Sequence, residues 1–197
     1  MTQAAVTVLV MERTRVEPEL EELLGAERSA VLQAEMNAQA TAWARELASE
    51  DAHTASEDAS LSGEVSRLLS QASGPLLVVW PSLPLLRREH ADGALVDLHA
   101  GSELVFGPVI DGDLYLLGLR HPLPEVLARL EEALASGGDA RDGGPGAAAA
   151  ALAAGAESGL EIGYLRPERG LRTPADVAVA LADPLTPASI RRILADE

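Results

Sequence analysis

Apolar and polar positions follow two rhythms along the chain. Residues 6–11 (VTVLVM) form an unbroken, β-branched apolar run, which predicts a buried strand of the parallel-sheet type. Residues 12–22 are charged and contain Pro18, and read as a loop or a loose helical turn. From residue 26 to 47 the spacing of Val31, Leu32, Met36, Ala40, Trp43 and Leu47 is near three and four, predicting a long amphipathic helix. Residues 48–60 (ASEDAHTASEDAS) are small, polar and acidic, the composition of an exposed loop. A short helix is predicted over 61–70, and Gly74-Pro75 then introduces an apolar strand over 76–80 that Pro81 and Pro84 break.

Helical spacing returns over 87–99 through Ala91, Leu95 and Leu98. Residues 104–106 predict a third strand, stopped by Gly107-Pro108. Asp111-Gly112 signals a turn, and 114–119 is a further apolar strand. Residues 124–135 read as a helix opened by proline, 137–146 (GGDARDGGPG) as the most flexible stretch, and 147–156 as an alanine-rich helix. A short strand over 160–165 precedes Thr173-Pro174-Ala175-Asp176. That run offers a hydroxyl N-cap, proline at the first helical position and an acid two residues later. Residues 187–194 close the chain with a short helix.

Strands separated by helices imply one α/β domain over residues 1–197, three-layered, with a mostly parallel sheet. Such sheets bind ligands beyond the carboxyl ends of their strands. The loops after Met11, Trp80, Phe106 and Leu165 are therefore where chemistry is expected.

Composition narrows the chemistry. There are 31 acidic and 15 basic residues among 197, a formal net charge of −16, and no cysteine. Every basic residue is arginine. Disulfides, thiol catalysis and cysteine metal sites are excluded. So are lysine Schiff bases and a P-loop lysine. The charge opposes nucleic acid and anionic lipid, and no apolar run approaches the roughly 20 residues of a membrane span. The N-terminus lacks the basic leader of a signal peptide, so a cytoplasmic protein is expected.

The loop after Phe106 reads GPVIDGDLYLLGL over 107–119. It resembles the GPaxDGGYYLxGL signature of a bacterial family of glycosyltransferase-like proteins, including radical-SAM/selenodomain-associated transferases. That family has the nucleotide-diphospho-sugar transferase (glycosyltransferase-A-like) fold. Other segments resemble the family in the same order: LLGAE at 23–27, LSGEV at 61–65, GPLLVVWPSLPLL at 74–86 and GLRTPADV at 170–177. The resemblance implies transfer from a nucleotide-diphosphate donor, with a divalent cation bridging its phosphates. It places Gly107, Pro108, Asp111, Gly112 and Asp113 beside the acceptor or sugar pocket, with Asp111 the candidate for orienting the acceptor.

The departures bear on that chemistry. The family's basic loop after the first strand is acidic here, with Glu17, Glu19, Glu21 and Glu22 against Arg13 and Arg15. Aligned on Pro84, the metal-binding aspartate of the family's GsDxP motif falls on Ser82, and its second acidic element on Gly170-Leu171-Arg172. Mg²⁺ and Mn²⁺ need carboxylate oxygens, so either could bind only through non-standard ligands. Arg172 could contact a phosphate directly, or pair with a local acid on the surface. Asp111 and Asp113 could ligate a cation, or hold a turn through hydrogen bonds to backbone.

Other chemistry has weak support. His90 and His99 are nine residues apart, beyond the reach of a helical metal pair, and all four histidines read as surface residues. No G-x-S-x-G elbow and no G-x-G-x-x-G turn is present. Trp43 reads as core; Trp80 could pack in the core or stack on a base or sugar. Two functions from different classes remain. One is a divergent glycosyl or nucleotidyl transferase acting on a nucleotide-sugar or other small molecule, with a guanylyltransferase-like variant that suffers the same losses. The other is a non-catalytic module that binds a partner or forms a homodimer.

Overall fold

Six strands and eight helices follow one another along the chain in a computed structural model that describes residues 5–14, 17–135 and 146–195. Strand β1 (Thr7–Glu12) leads into α1 (Pro18–Leu24) and the long α2 (Ala26–Ala48). A single 3-10 turn (Ser49–Asp51) precedes β2 (Ala52–Ser56), followed by α3 (Leu61–Leu69), β3 (Leu76–Val79) and α4 (Arg88–Ala100). Strands β4 (Leu104–Pro108) and β5 (Leu114–Leu119) form a hairpin. Then come α5 (Pro124–Ala135), α6 (Ala147–Glu157), β6 (Ile162–Tyr164), α7 (Pro174–Ala182) and α8 (Ala188–Leu194). Most of the glycine-rich run expected to be flexible, 137–145, lies outside the described residues, as does Arg15.

The sheet order is β2-β1-β3-β5-β4-β6. Pairings β1–β2, β1–β3 and β4–β6 are parallel, and β5 runs antiparallel to both neighbours. Five strands thus point the same way, and the start of β5 lies at their carboxyl ends. Alternate residues feed opposite faces, as the strand period of two requires. Leu9, Leu76, Val78 and Phe106 pack under α3, α5 and α6, whereas Val8, Val10, Leu77 and Val105 pack under α2 and α4. A third apolar cluster ties α1, α2, α7 and α8 together through Leu20, Met36, Val177 and Ile190. Trp43 and Trp80 are both core residues.

Three expectations change. Residues 52–56 form an outer strand rather than a loop, with Val8 through Glu12 matched to Ala52 through Ser56. Having one neighbour, it stays half exposed and can be built from small polar residues. Pro18 starts α1 where its missing N–H costs nothing. His90 is buried, not on the surface, because the first turn of α4 packs on the sheet with His90, Ala91, Ala94 and Leu98 inward. Among the described residues no helix is long and apolar enough to cross a membrane.

Candidate functional site

The register between β4 and β5 slips at Gly107/Pro108, so Gly107 faces Leu116 and Pro108 faces Leu114. The slip leaves Tyr115 as an extra residue that turns to the α4 side. Bulges re-aim side chains in this way. Its ring crosses Gly107 so closely that a Cβ there would sit 2.4 Å from Tyr115 Cζ. The Tyr115 hydroxyl donates to the Arg166 carbonyl at 3.3 Å, and its ring lies 5.1 Å from that of His90. Burial, aided by the Glu168 charge, pushes the Tyr115 hydroxyl up to about 12. Gly107 is thus the floor on which Tyr115 rests.

The turn that follows has the hydrogen bonds expected of an Asx-type loop. Asp111 Oδ1 accepts from the Asp113 N–H at 3.3 Å, and Asp113 Oδ1 accepts from the Leu114 N–H at 2.9 Å. Gly112 takes φ 97°, in the region that favours glycine. Its carbonyl accepts from the Ala148 N–H at 3.0 Å, so this turn also satisfies an orphan donor of the first turn of α6.

The second carboxylate oxygens of Asp111 and Asp113 point toward the strand ends, where two arginines meet them. Arg172 Nη1 lies 3.1 Å from Asp111 Oδ2 and 3.7 Å from Asp113 Oδ2, and Arg172 Nη2 lies 2.9 Å from Glu17 Oε2. Arg13 Nη2 lies 2.9 Å from Asp113 Oδ2, and Arg13 Nη1 reaches Ser82 Oγ at 3.4 Å. The Arg172 side chain is only 8% exposed. Burial acts to lower its pKa, but the hydrogen bond and charge of Glu17, with Asp111 and Asp113, outweigh burial and raise it. Arg172 is therefore salt-bridged, but in the interior and to acids far away in sequence.

Neighbouring groups fix both ends of this cluster. Asn37 on α2 clamps the Arg13 backbone, accepting from its N–H at 3.2 Å and donating to its carbonyl at 2.8 Å. The Ser82 hydroxyl donates to the Leu114 carbonyl at 3.2 Å, and the Ser82 carbonyl accepts from the Leu171 N–H at 3.1 Å. Asp176 holds Arg172 and Thr173 in place at the start of α7. It accepts from the Arg172 N–H, the Thr173 N–H and hydroxyl, and Arg169 Nη1. Burial would raise the Asp176 pKa, and these hydrogen bonds outweigh it and lower the pKa. Pro108 is buried at the end of β4.

The structure thus brings Ser82, Asp111, Asp113 and Arg172 together, and adds Arg13, Glu17 and Asn37. Gly107 and Gly112 shape the backbone that carries them. Three carboxylates face two guanidinium groups, a formal net charge of −1. The space left beside them is about 10 Å³, lined by Arg13, Glu17, Ser82 and Arg172 among others, roughly the volume of one water. Arg172 Nε is buried without a hydrogen-bond partner, and Arg172 is among the residues that line that space.

A divalent cation does not fit this donor set. The carboxylates that converge here are already engaged by guanidinium groups. Among the described residues no group of three or more His, Asp or Glu side chains is arranged to hold a metal.

No family model matches the chain, and no curated protein resembles it in sequence. Among solved structures it is similar to the crystal structure of a "putative nucleotide-diphospho-sugar transferase" from Desulfovibrio desulfuricans G20. The TM-score is 0.71 at 16% identity, over 98% of this chain and 95% of that one. Likeness at this identity is likeness of fold. The α/β architecture with its mostly parallel sheet resembles that structure.

Proposed function

We propose that this chain is a non-catalytic binding module built on the nucleotide-diphospho-sugar transferase fold. The supporting observation is the Arg172 guanidinium, buried at the strand ends and bonded to Glu17 and Asp111 from separate loops. On this fold a donor diphosphate belongs in the same strand-end cleft. To enter, it must displace carboxylates from both arginines in a cluster that already carries a formal charge of −1. Phosphate oxygens gain charge-assisted hydrogen bonds there only at the expense of equally strong ones. The desolvation of the released carboxylates then opposes binding.

One observation favours a second reading. Arg172 Nε is a buried donor with nothing to donate to. In a metal-independent glycosyl or nucleotidyl transferase, Arg13 and Arg172 would grip the diphosphate and Asp111 would orient the acceptor hydroxyl. Under either reading, radical-SAM association is what the family resemblance implies, and a cytoplasmic location is what the lack of a basic leader implies.

A thermal-shift screen with UDP-, GDP- and CDP-sugars, with and without Mn²⁺, separates the two. The binding-module reading expects no shift from any of them. A saturable shift that disappears in Arg172→Met would establish the transferase reading instead.

A further inference from the structure

A second cavity near the strand ends shares Leu171 with the cleft and is not lined by Arg172. It measures about 110 Å³, against about 10 Å³ for the sealed cleft. The loop after β3 supplies Leu83, Pro84 and Leu85 to its wall. The other wall comes from Val179 and Ala180 of α7 and from Leu185, which is 59% exposed. Both chemistry-bearing loops, after β3 and after β6, therefore turn toward this space as well as toward the cleft.

Its charges are unequally committed. Asp176 accepts hydrogen bonds from Arg169, from Thr173 and from the Arg172 backbone. Glu168 Oε1 lies 3.4 Å from Arg166 Nε and 3.6 Å from His90 Nε2. Asp183 Oδ1 accepts from the Leu185 N–H at 2.9 Å. Arg87 is half-buried in the lining and makes no ion pair among the described residues. It stands at the N-terminal end of α4, where the helix dipole also favours negative charge.

We propose that this cavity binds a small amphiphilic anion, a short branched-chain aliphatic carboxylate, with its head on Arg87 and its tail against Leu83, Leu85, Val179 and Leu185. This inference rests on the binding-module reading, and supplies its ligand class. A guanidinium in a partly desolvated wall forms charge-assisted bonds with a carboxylate, and the apolar lining gives the affinity that a lone exposed arginine cannot. Glu168, Asp176 and Asp183 also line the cavity, and their bonds to Arg166, to Arg169 and to the Leu185 N–H offset part of their repulsion.

Isocaproate is the probe, and isohexanol the uncharged control of the same shape. Titrations followed by nitrogen-15 NMR of the full chain should show saturable shifts of the Arg87 side-chain signal with isocaproate. Isohexanol should bind at least about tenfold more weakly, the value of a charged hydrogen bond. Arg87→Met should weaken isocaproate by at least about tenfold. Val179→Trp, at a position 47% exposed, should block the cavity without altering the melting temperature. No saturation by about 20 mM, equal binding of isohexanol, or full binding by Arg87→Met each overturns the proposal. Arg172→Met should leave isocaproate binding unchanged. Nucleotide-sugar binding that depends on Arg172 would instead refute the binding-module reading, so the two failures are distinguishable.

Discussion

Replacing Arg172 by methionine keeps an apolar stem of similar reach and removes the guanidinium. The structure sets the size of the effect. Arg172 contacts Glu17 at 2.9 Å, Asp111 at 3.1 Å and Asp113 at 3.7 Å, and its side chain is 8% exposed. Asp113 keeps Arg13 at 2.9 Å. Glu17 and Asp111 lose their short Arg172 contacts, although their side chains, 24% and 18% exposed, retain some water. Breaking a buried pair on one side costs about 3–5 kcal/mol, and the partial exposure of the partners puts this case near 3 kcal/mol. For a chain of this size that is a fall in melting temperature of roughly 6–12 °C. Trp43 and Trp80 are both buried, so tryptophan fluorescence in a urea titration reads the unfolding directly. Glu17→Gln should cost less in the Arg172→Met background than in the wild type, with a coupling of about 1 kcal/mol or more. An Arg172→Met stability within about 0.5 kcal/mol of wild type would refute the claim that this cluster holds the strand ends together.

Gly107→Ala forces a methyl into the Tyr115 ring and should cost about 1–3 kcal/mol or more in a urea melt; Tyr115→Leu in the same chain should recover part of it, and an additive double variant would contradict the packing. Burial holds the His90 imidazole below its ordinary pKa, against the pull of Glu168, so the unfolded chain takes up a proton there first. Stability should therefore be fully present above about pH 6.5 and decline as pH falls below it, and His90→Asn should flatten that decline. An unchanged slope would remove His90 as its source. For Asp176 the folded pKa lies below the unfolded one, so its contribution is present above about pH 4 and is lost as pH falls further. Asp176→Asn should cost about 1 kcal/mol in urea melts near neutral pH, and the difference from wild type should shrink in acid.

Much of the fold is written in local apolar patterns. The runs at 6–11, 76–80, 104–106 and 114–119 become four strands because buried strands need continuous apolar residues. Strand β2 carried no such signal, since an outer strand with one partner needs only small residues that tolerate pairing with β1. The direction of β5 was not legible either, because parallel and antiparallel neighbours bury the same residues. His90 could have been found. Its spacing to Ala94 and Leu98 places it on the apolar face of α4, although polarity alone suggests the surface. The site was legible in part. Ser82, Asp111, Asp113 and Arg172 were brought forward by the resemblance, but Arg172 meets the two aspartates across 59 or more residues of sequence, and Ser82 joins the cluster through Arg13. Arg13 and Glu17 looked like remnants of a phosphate loop and an obstacle to it. In the structure Glu17 is the partner that neutralises Arg172. Asn37 had no signal beyond its place on α2, because clamping a backbone needs only one amide at the right height.

The central claim is that the strand-end cleft is closed by its own ion pairs, and the Arg172 guanidinium reports on it directly. Its Nη nitrogen-15 resonances should be those of a hindered group bonded to Glu17 and Asp111, and should not move when UDP-glucose and Mg²⁺ are added to about 1 mM. Saturable shifts of those resonances, with release of Glu17 and Asp111, would show that the cleft opens to a nucleotide donor and would contradict the account.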